Sequence, residues 1–552
     1  MRAIAAGEKT ARNFSSPFLP VDAMQLSHAS PHTTLSHEGD FRPLTIAVLF
    51  AVLMAAASIP IATHPLPPLA DYVNHLARTH VIDAIGSDPD LTRYYRIDWQ
   101  ILPNLMIDLV VPVLHQFMSV YLAGQIFTVT AFILIVSGTF ALNRALIGRW
   151  SALPLIALPL LYNGVLFVGV MNYVFGIGLA LWGLAAWVAL RDRRWPWRFA
   201  ASTLFVLTLF VCHLFAAGLY GLGLLAIELQ RLWAKRAEPL WPRLADFCAA
   251  GLPFIPFIAL LLAGPTWSAP GAPAFWEMAG KIEGLKLAIN AYYPLLAYAL
   301  VALAAAAAFY ARYRSALHFH PAGWAILVVS VIIYMAMPRA LFAAHMADQR
   351  LPIAVAFILI ACIDVNLSHR TLRHGFVALA MLLLAARVIE VQLVWNHLAP
   401  STEAFFKSVQ SIKRGARVLV VYGDRSANKE ISDFGLVHAA SLATIERSAL
   451  VTTAFTVHGK QILHVRKEFH RYVETEDRLP PTVPYFIQVA DRVSAGKSSF
   501  CDLWPRHFDY VYILFTTKSA RNPDMKHLEF VDGGAGFQLY RIIQPAKLAP
   551  LR

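Results

Sequence analysis

Apolar runs of about 16 to 25 residues recur along this chain, and nothing constrains its fold more, because a helix needs about 20 such residues to cross a bilayer. The runs lie at 44–63, 119–145, 152–168, 171–190, 198–213, 214–230, 247–263, 286–310, 323–338, 351–365 and 375–395. They predict a polytopic α-helical membrane protein with about eleven transmembrane helices. The stretches 152–190 and 198–230 are each too long for one helix, and basic residues flank both, which favours two hairpins. Composition agrees. Hydrophobic residues make up 57% of the chain and charged residues 15%, where soluble proteins carry about 25% charged.

Charge orients the bundle. The connections "NRALIGRW", "RDRRWPWR", "QRLWAKRAEPLWPR", "ARYR" and "SHRTLRH" hold 14 Lys and Arg. The opposite connections hold few, chiefly Arg78, Arg93, Arg96, Lys281, Arg339 and Arg350. Basic residues collect on the cytoplasmic side, so the N-terminus is expected inside and the loop 64–118 outside. An odd number of spans then places 396–552 outside too. The same bias accounts for the net charge of +13. No basic–aromatic RNA-binding pattern accompanies it, so nucleic acid is not an expected partner.

Three regions follow: a polar cytoplasmic tail 1–43, expected to be disordered, a transmembrane domain 44–395 that includes the loop 64–118, and a soluble extracytoplasmic α/β domain 396–552. The tail has no apolar core of a secretory signal. In the last region "ARVLVVYGD" and "FDYVYILFT" read as strands, "HLEFVDGGAGFQLYRII" as a closing hairpin, and 435–450 as helical. Cys212, Cys248, Cys362 and Cys501 form neither a CxxC pair nor a disulfide framework. "GLYGLG" at 218–223 lacks the strand and Lys of a nucleotide loop, and its small residues suit close helix packing.

The loop 64–118 holds two amphipathic pieces. In "LADYVNHLARTHVI", Val73, Leu76, Ala77 and Val81 fall on one side, and Asp71, Asn74, His75 and Arg78 on the other. In "PNLMIDLVVPVLHQFM", Leu105, Met106, Leu109, Val110 and Val113 are apolar, and Asn104, Asp108 and His115 polar. Both are expected to lie in the plane of the membrane surface. Asp71 follows "PLPPLA", where a helix begins, so it can serve as an N-cap. At a water–lipid boundary the same carboxylate can take a proton from an incoming hydroxyl or amine, or help to hold a divalent cation. No other cofactor is indicated.

The order of these features resembles the GT-C superfamily of membrane glycosyltransferases, particularly its aminoarabinose-transferase and protein-mannosyltransferase branch. There a first span leads to a long extracytoplasmic loop that opens with a catalytic acidic residue on a short helix. Asp71 holds that place, while Tyr72 stands where a second acid often lies. "PNLMIDL", "NRALIGRWSALP" and "NGVLFVGVMNYVFGIGL" follow in the order of the juxtamembrane helix, the basic Gly-containing turn and the polar break between spans. Asn172 and Tyr173 lie where many relatives have an acid. In "FVCHLFAAGLYG", His213 takes the place of a Lys. The resemblance covers residues 44 to about 230 and the later spans in outline.

The resemblance implies an inner-membrane transferase of bacterial type that moves a sugar from a polyprenyl-phosphate donor to a glycan, lipid or protein acceptor outside the cell. Asp71 would be the general base. Arg350, in "HMADQRLP", would bind the leaving phosphate, since guanidinium pairs well with phosphate oxygens. His213, His75 and His345 would support it, with Asn74, Asn104, Asp108, Asn172, Tyr173 and Asp348 as further candidates. Bland readings stand beside these. Arg350 can be an interfacial anchor, Asp348 its ion-pair partner, His213 a satisfied interior residue, and Asp108 part of a solvated face. Two rival functions remain: a transporter or lipid-carrier flippase, which calls for interrupted helices at mid-membrane, and a non-catalytic scaffold of the same architecture.

Overall fold

A computed structural model describes residues 41–268, 274–342, 344–423, 433–473, 479–491 and 500–543; nearly all of the expected tail 1–43 lies outside them. Among the described residues, seven helices are long and apolar enough to cross a membrane: Pro43–Thr63, Val120–Ile147, Met171–Ala189, Trp195–Cys212, Leu240–Ala263, Pro294–Tyr313 and Arg370–Val409. Four shorter apolar helices, Met106–His115, Leu153–Val168, Pro321–Ala336 and Leu351–Ala361, fill in between them. The run at 214–230 forms the Leu214–Ala234 helix, whose last turns carry Glu228 and Arg231.

Several runs differ from the simple spans expected, and in two of them the reasons are local. Pro154 and Pro159 each lack a backbone N–H, and Leu153–Leu161 winds as a 3-10 helix. Asn163 Oδ1 then accepts from Val165 N (2.9 Å) and Leu166 N (3.1 Å), starting the short Gly164–Val168 helix. The run 286–310 divides between Met278–Ile289 and Pro294–Tyr313. The backbone groups freed at that break are met by a buried ion pair on the last long helix. Glu390 accepts from Tyr292 N (3.0 Å) and Tyr293 N (2.7 Å), and Arg387 donates to Ile289 O (2.7 Å).

The basic connections gather at one end of the bundle. Arg149 pairs with Asp364 (2.5 Å), Asn143 donates to the carbonyls of Ala361 and Ile363, and strand Leu317–Phe319 pairs with Ile363–Val365.

The Arg370–Val409 helix has 40 residues and is therefore about 60 Å long, twice the hydrocarbon thickness. Its apolar part suits a membrane, and its polar end carries the C-terminal sheet: Phe405 stacks on Tyr512 (4.6 Å) and Ser408 Oγ meets Tyr512 OH (2.8 Å). The five strands run in the order Leu450–Val451, Arg417–Tyr422, Tyr510–Thr516, Gly536–Ile542, Leu528–Gly534. The first three are parallel and the last two close antiparallel, as the hairpin reading of "HLEFVDGGAGFQLYRII" expects. The stretch read as one helix at 435–450 is instead two 3-10 turns and a six-residue helix, Leu442–Arg447.

This sheet shares its cores with the loop 64–118. Val81, Leu91, Tyr94 and Tyr95 pack with Leu419, Trp504 and Val511, and Tyr95–Ile97 pairs antiparallel with Leu463–Val465. One expectation is corrected here. The Tyr72–Ala84 helix does not keep a wetted side, because Asn74, His75 and Arg78 are buried beneath residues 453–455 and against Asp108.

Candidate functional site

The three prolines of "HPLPPLA" keep the chain extended until it docks on the next hairpin. Ala70 N donates to Phe167 O (2.9 Å) and Asp71 N to Val168 O (3.1 Å). Gly169 permits this approach. Its φ of +85° is left-handed, and an added Cβ would lie 2.7 Å from Asp71 N. Asp71 holds the N-cap position of the Tyr72–Ala84 helix, yet its side chain accepts no capping bond. The carboxylate lines a cleft of about 220 Å³ instead. Tyr72, at the place of a second acid, is fully buried and turns toward Gly124 in the bundle.

The cleft is lined by Asp71, His75, Asn104, His213, His345 and Arg350 among the residues singled out from sequence. Arg350 stands at the start of the Leu351–Ala361 helix. Its Nη2 donates to His345 O (3.0 Å), its own carbonyl accepts from Tyr173 OH (2.9 Å), and its guanidinium lies over Phe215 (5.5 Å to the ring centre). His213 joins two helices and caps the second: Nδ1 accepts from Phe215 N (3.1 Å). The neutral ring therefore carries its proton on Nε2. That nitrogen lies 3.2 Å from Arg350 Nη1, so two donors point at one another. An anionic oxygen beside them, within reach of both, would accept from each.

His75 is held well below the usual histidine range, first by burial and then by the neighbouring Arg78 guanidinium. Arg78 Nη2 lies 3.2 Å from His75 Nδ1, which fixes that nitrogen as the acceptor. The ring is a neutral wall of the cleft rather than a second charge.

The other sequence candidates sit behind the cleft and do not line it. Asn172 brackets the loop ahead of Met106–His115: its Nδ2 donates to Asn104 O (2.7 Å) and Oδ1 (2.8 Å), and its Oδ1 accepts from Ile107 N (2.7 Å). Tyr173 donates to the Arg350 carbonyl and packs its ring edge to face on His213 (5.4 Å between centres), supporting both from behind. Asp108 is no solvated residue, for it forms a buried pair with Arg78 at 2.7 Å. Asp348 pairs with Lys281 (2.8 Å), not with Arg350, and anchors the loop before Arg350 to the Met278–Ile289 helix. Asn74 faces the C-terminal region, donating to Thr453 O (2.7 Å) and accepting from Phe455 N (3.2 Å). Among the described residues no three His, Cys, Asp or Glu side chains are grouped to hold a metal ion.

Sequence reading missed the roof. Phe455, Gly459, Lys460 and Gln461 close the cleft from the C-terminal side, with Phe342 and Thr266 at its flank. His438 places Nε2 3.5 Å from Asp71 Oδ1. Its segment carries no motif, and it lies 364 positions from Asn74, which it also touches. No local pattern could have found it.

No protein-family model matches this chain, and no curated protein matches it. Among solved structures it is similar to ArnT from Cupriavidus metallidurans in two forms. The form bound to undecaprenyl phosphate is 12% identical with a TM-score of 0.49, and the match covers 92% of this chain and 100% of that one. The apo form is 11% identical with a TM-score of 0.47, over 90% and 98% of the two chains.

Proposed function

We propose that this chain is a membrane glycosyltransferase that takes a sugar from a polyprenyl-phosphate donor, with the cleft at Asp71 as its active site. The observation that carries this is the pairing of a carboxylate with two converging donors in one cleft, Asp71 with Arg350 and His213 Nε2. Glycosyl transfer from a phosphate carrier needs both. The acceptor oxygen or nitrogen attacks the anomeric carbon and gives its proton to Asp71. The bond from that carbon to the phosphate oxygen breaks, and the polyprenyl phosphate leaves with the electron pair. Arg350 and the His213 Nε2–H stabilise the charge that gathers there. The substrate class follows the resemblance drawn from sequence, and the acceptor is a glycan, lipid or protein.

The cleft is proposed to open outside the cell. Asp71, Val168, His213, Thr266, His345 and Gln461 all come from connections that the charge pattern assigns to that side. A carrier would instead gather its polar groups midway along interrupted helices, whereas these lie at helix ends. A transferase of the bacterial inner membrane, with 396–552 roofing its outer face, accommodates all of this.

The test is binding of undecaprenyl phosphate to the protein in nanodiscs, measured by native mass spectrometry. Wild type is expected to retain the lipid, and Arg350→Gln to weaken it by about tenfold or more, the scale of a charge-assisted bond. Equal retention by both proteins would remove Arg350 from the reading.

A further inference from the structure

Asn74, His438 and Asp71 form a chain of hydrogen-bonding groups whose polarity is set from one end. Asn74 Oδ1 accepts from Phe455 N (3.2 Å) and Asn74 Nδ2 donates to Thr453 O (2.7 Å). A backbone N–H and a backbone carbonyl have opposite and fixed roles, so the amide cannot be flipped. The same Nδ2 lies 3.3 Å from His438 Nδ1. That ring nitrogen can then only accept, and the proton of the neutral imidazole belongs on Nε2. Nε2 is the atom 3.5 Å from Asp71 Oδ1. The ring is mostly buried and packs edge to face on Phe455 (5.2 Å), which in turn packs on His75 (5.3 Å).

We infer that His438 is a positioning residue for Asp71: the C-terminal domain, through Asn74, locks the imidazole as an Nε2–H donor and so completes the base only when it is docked on the Tyr72–Ala84 helix. This deepens the transferase reading above and rests on it. His438 is not a proton relay. Passing a proton on would need a free Nδ1, and Asn74 occupies that position. Its role is to hold one carboxylate oxygen so that the other is aimed into the cleft, a long contact in the empty site that tightens when substrate excludes water. The arrangement also accounts for Asn74, a buried amide one turn from Asp71 that does not reach the cleft.

Two variants separate donation from packing. His438→Gln keeps a side-chain N–H donor but loses the ring. His438→Phe keeps the ring and its stacking on Phe455 but loses the donor. With an undecaprenyl-phosphate-linked sugar as donor, H438F is expected to lower kcat about tenfold or more with KM little changed, and H438Q to retain most of it. The reverse order would overturn the inference and show a packing role, leaving the transferase reading intact.

A second arm needs no turnover. Ring-15N-labelled histidine in the full-length protein reports the tautomer, with the His438 signal identified by its loss in H438Q. The expected form is Nε2–H with a bare Nδ1 in wild type, and Nδ1 protonated as well in Asn74→Asp, whose carboxylate must accept from the ring while Asp71 still faces Nε2. An Nδ1–H tautomer in wild type overturns the inference whatever the activity. Should wild type show the expected tautomer yet transfer no sugar, the hydrogen-bond chain holds and the transferase reading is what fails.

Discussion

Asp108→Asn is the most informative substitution outside the cleft, because sequence and structure give that residue different roles. The Arg78 and Asp108 side chains are 1% and 0% exposed, with Nε 2.7 Å from Oδ1. The attraction at that distance is about 6 kcal/mol at an effective dielectric of about 20. Against it stands a desolvation cost of several kcal/mol for each ion. The pair is joined by one bond only, for Arg78 Nη1 and Asp108 Oδ2 have no hydrogen-bond partner among the described residues. The intact pair therefore contributes little net stability, whereas half a pair is costly. D108N should lose about 3–5 kcal/mol, since it leaves the Arg78 charge buried and unmatched. The double variant R78M/D108L should recover most of that loss, falling short of wild type by about 1–3 kcal/mol, the cost of a buried His75 Nδ1 that has lost its Arg78 donor. Thermal unfolding in nanodiscs, followed by tryptophan fluorescence at one heating rate, ranks the three proteins. A D108N protein as stable as wild type but unable to bind undecaprenyl phosphate would refute this reasoning and return Asp108 to the site.

Other expectations concern the frame around Asp71. Gly169→Ala forces a Cβ onto the Asp71 backbone at a positive φ and should cost about 1–2 kcal/mol in stability and most of the turnover; Gly86→Ala, with open space around it, is the silent control. Asn172→Ala leaves Ile107 N without its acceptor and should lower stability by about 1–3 kcal/mol, read as a lower unfolding temperature. His80 is held down to about 4, first by burial and then by His115, so the folded ring stays neutral while the unfolded one protonates below about 6.5. Stability from this group is full above pH 6.5 and falls as pH drops toward 4, by up to about 1.4 kcal/mol per pH unit; H80Q should flatten the fall in a pH series of unfolding temperatures. In a background without the four native cysteines, Glu468→Cys should react with a membrane-impermeant thiol reagent on intact cells, and Arg193→Cys only after permeabilisation. Labelling in the opposite order would invert the proposed topology.

The membrane bundle was legible because hydrocarbon thickness imposes a run length that composition cannot hide, and each apolar run corresponds to helical structure. Its irregular members were less so. Prolines 154 and 159 are visible in sequence, but the 3-10 winding they bring depends on full burial among neighbouring helices. The strands "ARVLVVYGD" and "FDYVYILFT" showed themselves by β-branched and aromatic content. What sequence could not convey was that the loop 64–118 shares a core with them. An amphipathic helix with Asn74, His75 and Arg78 on one side looks the same whether that side meets water or a polar partner, and here the partner is a segment nearly 400 residues later, with Asn74 and Phe455 381 positions apart. Asp71, His213 and Arg350 were found because an ionisable group beside an apolar run stands out. Asp108 and Asp348 stood out for the same reason, yet their partners Arg78 and Lys281 turn them into anchors. His438 had no such contrast with its surroundings.

The central claim is that Asp71 takes the acceptor proton in a polyprenyl-phosphate-dependent transfer. The direct measurement is release of undecaprenyl phosphate from a panel of undecaprenyl-phosphate-linked monosaccharides in proteoliposomes, supplied with cell-envelope glycan, lipid and protein fractions as acceptors, comparing wild type with Asp71→Asn. Release by wild type on at least one pairing, lost by about a hundredfold or more in D71N while lipid binding and unfolding temperature stay unchanged, is the predicted result. Equal release by D71N would contradict it.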